Sequence, residues 1–135
     1  MAPTAPTHPA VIALSASLLW ACLGPVVSVT ADAGRPDVTH LVLHHQGGAT
    51  STVTVTLSAP DAAAGFDMYV WGERGRSAAP PEEYHAQQAL RVALTELANN
   101  ARSGQVSHPC DVQFGRDVGR VLAEAQRQVD ARRTP

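Results

Sequence analysis

Residues 10–23 (AVIALSASLLWACL) form an apolar run closed by Gly24 and Pro25. This is the pattern of a buried helix over Pro9–Leu23 ended by a glycine stop. Val26 to Thr30 is β-branched and alternating enough for a strand, and Gly34-Arg35-Pro36-Asp37 reads as a turn. Val38–His45 and Ser51–Ser58 then alternate with period two around Gln46-Gly47-Gly48-Ala49-Thr50, which predicts a β-hairpin with a glycine turn. In its first strand Leu41 and Leu43 share one face, and His40, Val42 and His44 the other. In its second strand Val53, Val55 and Leu57 oppose Thr52, Thr54 and Thr56. The result is a sheet with one oily face and one polar, weakly charged face.

Ala59-Pro60-Asp61 breaks the pattern, and Phe66–Trp71 (FDMYVW) predicts a further strand that turns back through Gly72-Glu73-Arg74-Gly75-Arg76. From Glu82 to Ala101 the period becomes helical, with Leu90, Ala93, Leu94, Leu97 and Ala101 on one stripe and Gly104 after the last turn. A second such helix runs from Phe114 to Ala131, with Phe114, Val118, Val121, Leu122, Ala125 and Val129 on its stripe and Asp111 as its cap. The fold class is therefore α+β: an open, mostly antiparallel sheet with helices packed on one face. Residues 1–8 are expected as a disordered N-terminal tail and 9–132 as a single domain, in keeping with a length of 135.

Composition removes several function classes. The net charge is -2 with no basic stripe, which argues against a nucleic-acid binder. All ten basic residues are arginine, so a Schiff-base lysine and a Walker-A lysine are excluded. The apolar run followed by Ala31-Asp32-Ala33 imitates a secretory leader. No basic residue precedes the run, however, and the first is Arg35, so a cytoplasmic protein is expected. The run is also too short to span a bilayer, and no membrane association is expected. Cys22 and Cys110 fit neither a zinc spacing nor a Cys-x-x-Cys pair.

Candidate chemistry gathers on the polar strand face. His40 and His44 share that face but stand about 13 Å apart, too far to hold one ion, so no metal site is expected. His40, His44 and His45 are read as surface or polar-face side chains and His85 as exposed, while His108 precedes Pro109-Cys110 in an extended loop, where a Cys/His nucleophile pair would have no third orienting group. Gly72-Glu73-Arg74-Gly75 is read as a hairpin turn rather than a phosphate cradle, because no helix follows it directly. His40, His44 and Thr54 are the candidate substrate-binding residues; no catalytic residue is assigned. One functional reading is a binding or oligomerisation module. Another is a small cofactor-free cyclase, isomerase or lyase that uses the polar face as a pocket.

The order of segments resembles the C-terminal domain of the Gfo/Idh/MocA (glucose–fructose oxidoreductase/inositol dehydrogenase) family. The matching pieces are LLWACLGPVVSVTA, VTHLVLHHQGGATSTVTVTL, YVWGERGRS, ALRVALTELANNARSG and HPCDVQFGRDVGRVLAEAQRQVDA, which together cover nearly all of residues 14–131. The resemblance implies a domain that shapes a sugar or polyol pocket and forms an oligomer through its sheet, here a homodimer. It also implies a preceding Rossmann domain that binds NAD(P), and a Glu-Lys-Pro motif that supplies a catalytic lysine. This chain has no lysine and no G-x-G-x-x-G. A stand-alone or truncated C-terminal domain without its own cofactor site is therefore expected, with NAD(P) brought only by a separate Rossmann partner. The family's histidine near the start of the first helix falls on Ala13 or Leu14 here; His8 is out of register, and the role is not carried onto it.

Overall fold

The structure, a computed structural model, describes residues 9–34, 37–63, 65–78, 86–106 and 108–133. The tail expected at 1–8, the helix start at Glu82 and His85 lie outside them. The elements are α1 (Pro9–Leu23), β1 (Val26–Ala33), β2 (Thr39–His45), β3 (Thr50–Val55), β4 (Tyr69–Gly72), β5 (Gly75–Ala78), α2 (Ala86–Ser103) and α3 (Val112–Arg133). This is an α+β chain, divided into two compact units: residues 1–59 with 110–135, and residues 60–109.

The first unit is a three-stranded antiparallel sheet in the order β1-β2-β3, with α1 and α3 packed against it. Alternation along the strands decides what is covered. Thr39, Leu41, Leu43 and His45 of β2 are buried, as are Val29 and Ala31 of β1 and Ser51 and Val55 of β3. On the helices, Ile12, Ala16 and Leu19 of α1 and Val118, Val121, Ala125 and Val129 of α3 complete the core. Each buried valine, leucine or isoleucine contributes about 1.5–3 kcal/mol of transfer free energy. The apolar run is thus a helix that gives Ile12, Ala16 and Leu19 to the core. Gly24, at φ +86°, ends it by donating its N–H to the Trp20 carbonyl at 2.8 Å. Asp111 caps α3 by accepting the Phe114 N–H at 2.9 Å.

Strand limits differ from the alternation in informative places. β1 continues past Thr30 to Ala33, because β2 supplies partners as far as the Ala33–Thr39 pair. β3 stops at Val55 rather than Ser58. Asp37 intercepts the chain there, accepting the Thr56 hydroxyl at 2.6 Å and the Leu57 N–H at 2.9 Å. Leu57, expected on the oily row, is consequently exposed.

The second unit holds the β4–β5 hairpin and α2. Gly72 pairs with Gly75 across the Glu73-Arg74 turn, and Gly75 takes φ +119°, a conformation open to glycine. Tyr69 and Trp71 lie on one face with ring centroids 5.9 Å apart, and the Arg76 guanidinium sits 4.7 Å over the Tyr69 ring. The strand expected from Phe66 begins only at Tyr69. The apolar stripe of α2 is exposed: Leu90 is 62% accessible, Leu94 57% and Leu97 58%.

Candidate functional site on the open sheet face

Helices cover one face of the three-stranded sheet; the other is built from the residues that alternation turns outward. In register across the strands stand Ser28, His44 and Thr50; then Thr30, Val42 and Thr52; then Asp32, His40 and Thr54. All are exposed except the half-buried Val42. Small β-branched and hydroxyl side chains suit a pleated surface, so the same residues that make the strands also furnish this face.

The structure brings two of the three candidates together. His40 Nδ1 lies 3.0 Å from the Thr54 hydroxyl. His44 stands apart from that pair, with its Nδ1 3.4 Å from the hydroxyl of Thr50. Asp32, opposite His40 in the register, extends the His40–Thr54 contact into a row of carboxylate, imidazole and hydroxyl. The Asp32 carboxyl is held below the usual carboxylate range, chiefly by Arg132, whose guanidinium lies 3.0 Å away. The Ala33 N–H adds to this, and a charged His40 contributes a smaller pull. The row offers a carboxylate held in its charged form by Arg132, an imidazole that can give or take a proton, and a hydroxyl that can do either. Those are the groups that bind and polarise a hydroxylated small molecule.

A cleft of about 350 Å³ lined by Ile12, Thr39, Leu122, Ala125, Gln126 and Val129 contains no ionisable side chain, so it offers no acid or base. Among the described residues no group of three or more His, Cys, Asp and Glu is placed to hold a metal ion. His108 lies 3.3 Å from Glu96 within the second unit. Cys22 and Cys110 are exposed.

His45 departs from the expected surface position and is only 3% accessible. Its Nδ1 lies 2.8 Å from the Gly24 carbonyl, which can only accept, so Nδ1 carries the proton. Its Nε2 lies 2.9 Å from the Ser51 hydroxyl. The signal was the odd-numbered alternation Thr39, Leu41, Leu43, His45. Both side chains are buried, and the pair works as a structural tie between the end of α1 and β3. Asp32 and Arg132 also escaped the sequence reading, because their meeting depends on the tertiary path of α3.

No protein-family model, no curated protein and no solved structure matches the chain. Among the described residues no helix is long and apolar enough to cross a membrane.

Proposed function

We propose that the chain is a binding and oligomerisation module of the kind the Gfo/Idh/MocA oxidoreductases carry as their C-terminal domain. It has no cofactor site of its own, and NAD(P) comes only with a separate Rossmann-domain partner. One observation carries the reading: an antiparallel sheet with helices on a single face, whose other face is left open and studded with hydroxyl and imidazole groups. Val42, at its centre, gives that face an apolar middle ringed by polar groups, which suits a homodimer contact. A cytoplasmic location is part of the proposal, supported by the packing of Ile12, Ala16 and Leu19 from the apolar run into the core.

The in-register row Asp32–His40–Thr54 favours a second reading, cofactor-free acid–base catalysis on a small hydroxylated substrate.

Calorimetric titration with NAD and NADP tests the first reading. No binding heat is expected from the chain alone, because a dinucleotide pyrophosphate needs a glycine-rich strand-to-helix turn. Micromolar binding overturns it. The face contact is checked by Val42→Glu, which sets like charges against each other across a two-fold and is expected to dissociate a face-mediated dimer.

A further inference from the structure

The two edges of the three-stranded sheet are treated differently. On β1, the Gln128 side chain of α3 takes the outward backbone groups: it accepts the Ala31 N–H at 2.8 Å and donates to the Val29 carbonyl at 2.9 Å. These contacts also fix the hydrogen-bond phase of the whole sheet. Val29 and Ala31 point away from β2, so Thr30 and Asp32 point toward it, bonding Val42 and His40. Leu41 and Leu43 of β2 then bond β3 through Val53 and Ser51. The backbone groups of Thr50, Thr52 and Thr54 are left pointing outward. Among the described residues no strand lies beyond them.

This edge lacks the usual devices against strand addition. β3 (TSTVTV) carries no charge and no proline, and it pairs with β2 in unbroken register. It is also self-complementary. A two-fold axis at Thr52 sets Thr52 against the partner's Thr52, and Thr50 against the partner's Thr54. Every outward N–H then meets an outward carbonyl, and every hydroxyl row meets a matching one.

We infer that β3 is an interface strand that pairs antiparallel with β3 of a second copy, joining two three-stranded sheets into one continuous sheet. The join doubles the width of the open polar face without covering it. It stands on the hydrogen-bond phase of the sheet and is independent of the proposed role of the face.

The test uses the full chain in a Cys22→Ser, Cys110→Ser background. Sedimentation velocity at about 100 μM, a range suited to small interfaces, is expected to show association beyond the 14.2 kDa chain. Thr52→Pro removes an outward N–H that the β2–β3 ladder does not use. It is expected to halve the particle mass while the far-ultraviolet circular dichroism stays unchanged. Thr52→Cys is expected to form a covalent dimer on mild oxidation, since residues facing each other across a strand pair lie within disulfide reach. Should Thr52→Pro disturb folding, the cross-link decides. A 14.2 kDa monomer, or no cross-link at position 52, overturns the inference. A cross-link at Val42→Cys but not at Thr52→Cys overturns it while leaving a face-mediated dimer standing.

Discussion

Gln128 and Ala31, separated by 97 positions in the chain, are joined by a hydrogen bond in which the glutamine side chain stands in for a missing strand. Both polar atoms of the Gln128 amide are engaged: its oxygen accepts from Ala31, and its nitrogen donates to the Val29 carbonyl and, at 2.6 Å, to Glu124. A helix that lends one side chain to a sheet edge both docks itself and keeps that edge from other strands.

Gln128→Ala should therefore destabilise the first unit by about 1–3 kcal/mol, the cost of orphaning partly buried backbone groups. Gln128→Glu should cost more, because a carboxylate cannot donate to Val29 and repels Glu124. Urea denaturation of the two variants gives the order; the reverse order would contradict the assigned hydrogen bonds.

Removing His45 should be more damaging than removing its partner. His45→Ala leaves a cavity and strips the Gly24 carbonyl and Ser51 hydroxyl of their partner, for an expected loss of about 2–4 kcal/mol. Ser51→Ala leaves the Gly24 bond in place and should cost about 1 kcal/mol. Chemical unfolding followed by tryptophan fluorescence separates the two values.

Trp20 stands half-buried between α1 and α3, edge-on to Phe114 with centroids 6.0 Å apart. Trp20→Ala should cost about 2–3 kcal/mol, below the figure for a fully buried aromatic. A double-mutant cycle with Phe114→Ala should return a coupling of about 0.5–1.5 kcal/mol. Zero coupling would place the helices apart.

Acid should loosen the molecule in a defined window. Asp32 is held down chiefly by Arg132, Asp37 by the Thr56 hydroxyl and Leu57 N–H, and Glu124 by Arg127. A depressed folded-state value means the stabilisation is present above the ordinary values of 3.8 for Asp and 4.5 for Glu. It is lost as pH falls through the lower folded values. Thermal unfolding from pH 7 to pH 2 should show Tm falling below about pH 4.5, and less steeply in Asp37→Asn.

Much of the fold was legible because its signals are local. Odd and even positions on β2 separated core from surface, Asp111 marked the start of α3, and Gly24 and Pro25 marked the end of α1. The α2 stripe was equally legible as a pattern, yet periodicity names a face and not its cover, and Leu90, Leu94 and Leu97 stand exposed. On the candidate site, the shared face of His40 and His44 followed from strand parity. The pairing of His40 with Thr54 needed a register set by the Gln46–Ala49 turn. Asp32 and Arg132 meet only because α3 returns along β1, a path no window of the sequence contains. The early end of β3 has the same origin, since Asp37 reaches it from the other side of the hairpin.

The first unit is also discontinuous, with residues 60–109 inserted between its sheet and its closing helix. During synthesis the β1 edge must wait for Gln128, 97 residues after Ala31. At typical translation speeds that delay is roughly 5–20 s. From the completion of β3 at Val55 until Gln128 is made, the nascent sheet has two bare edges and no α3 over its oily face.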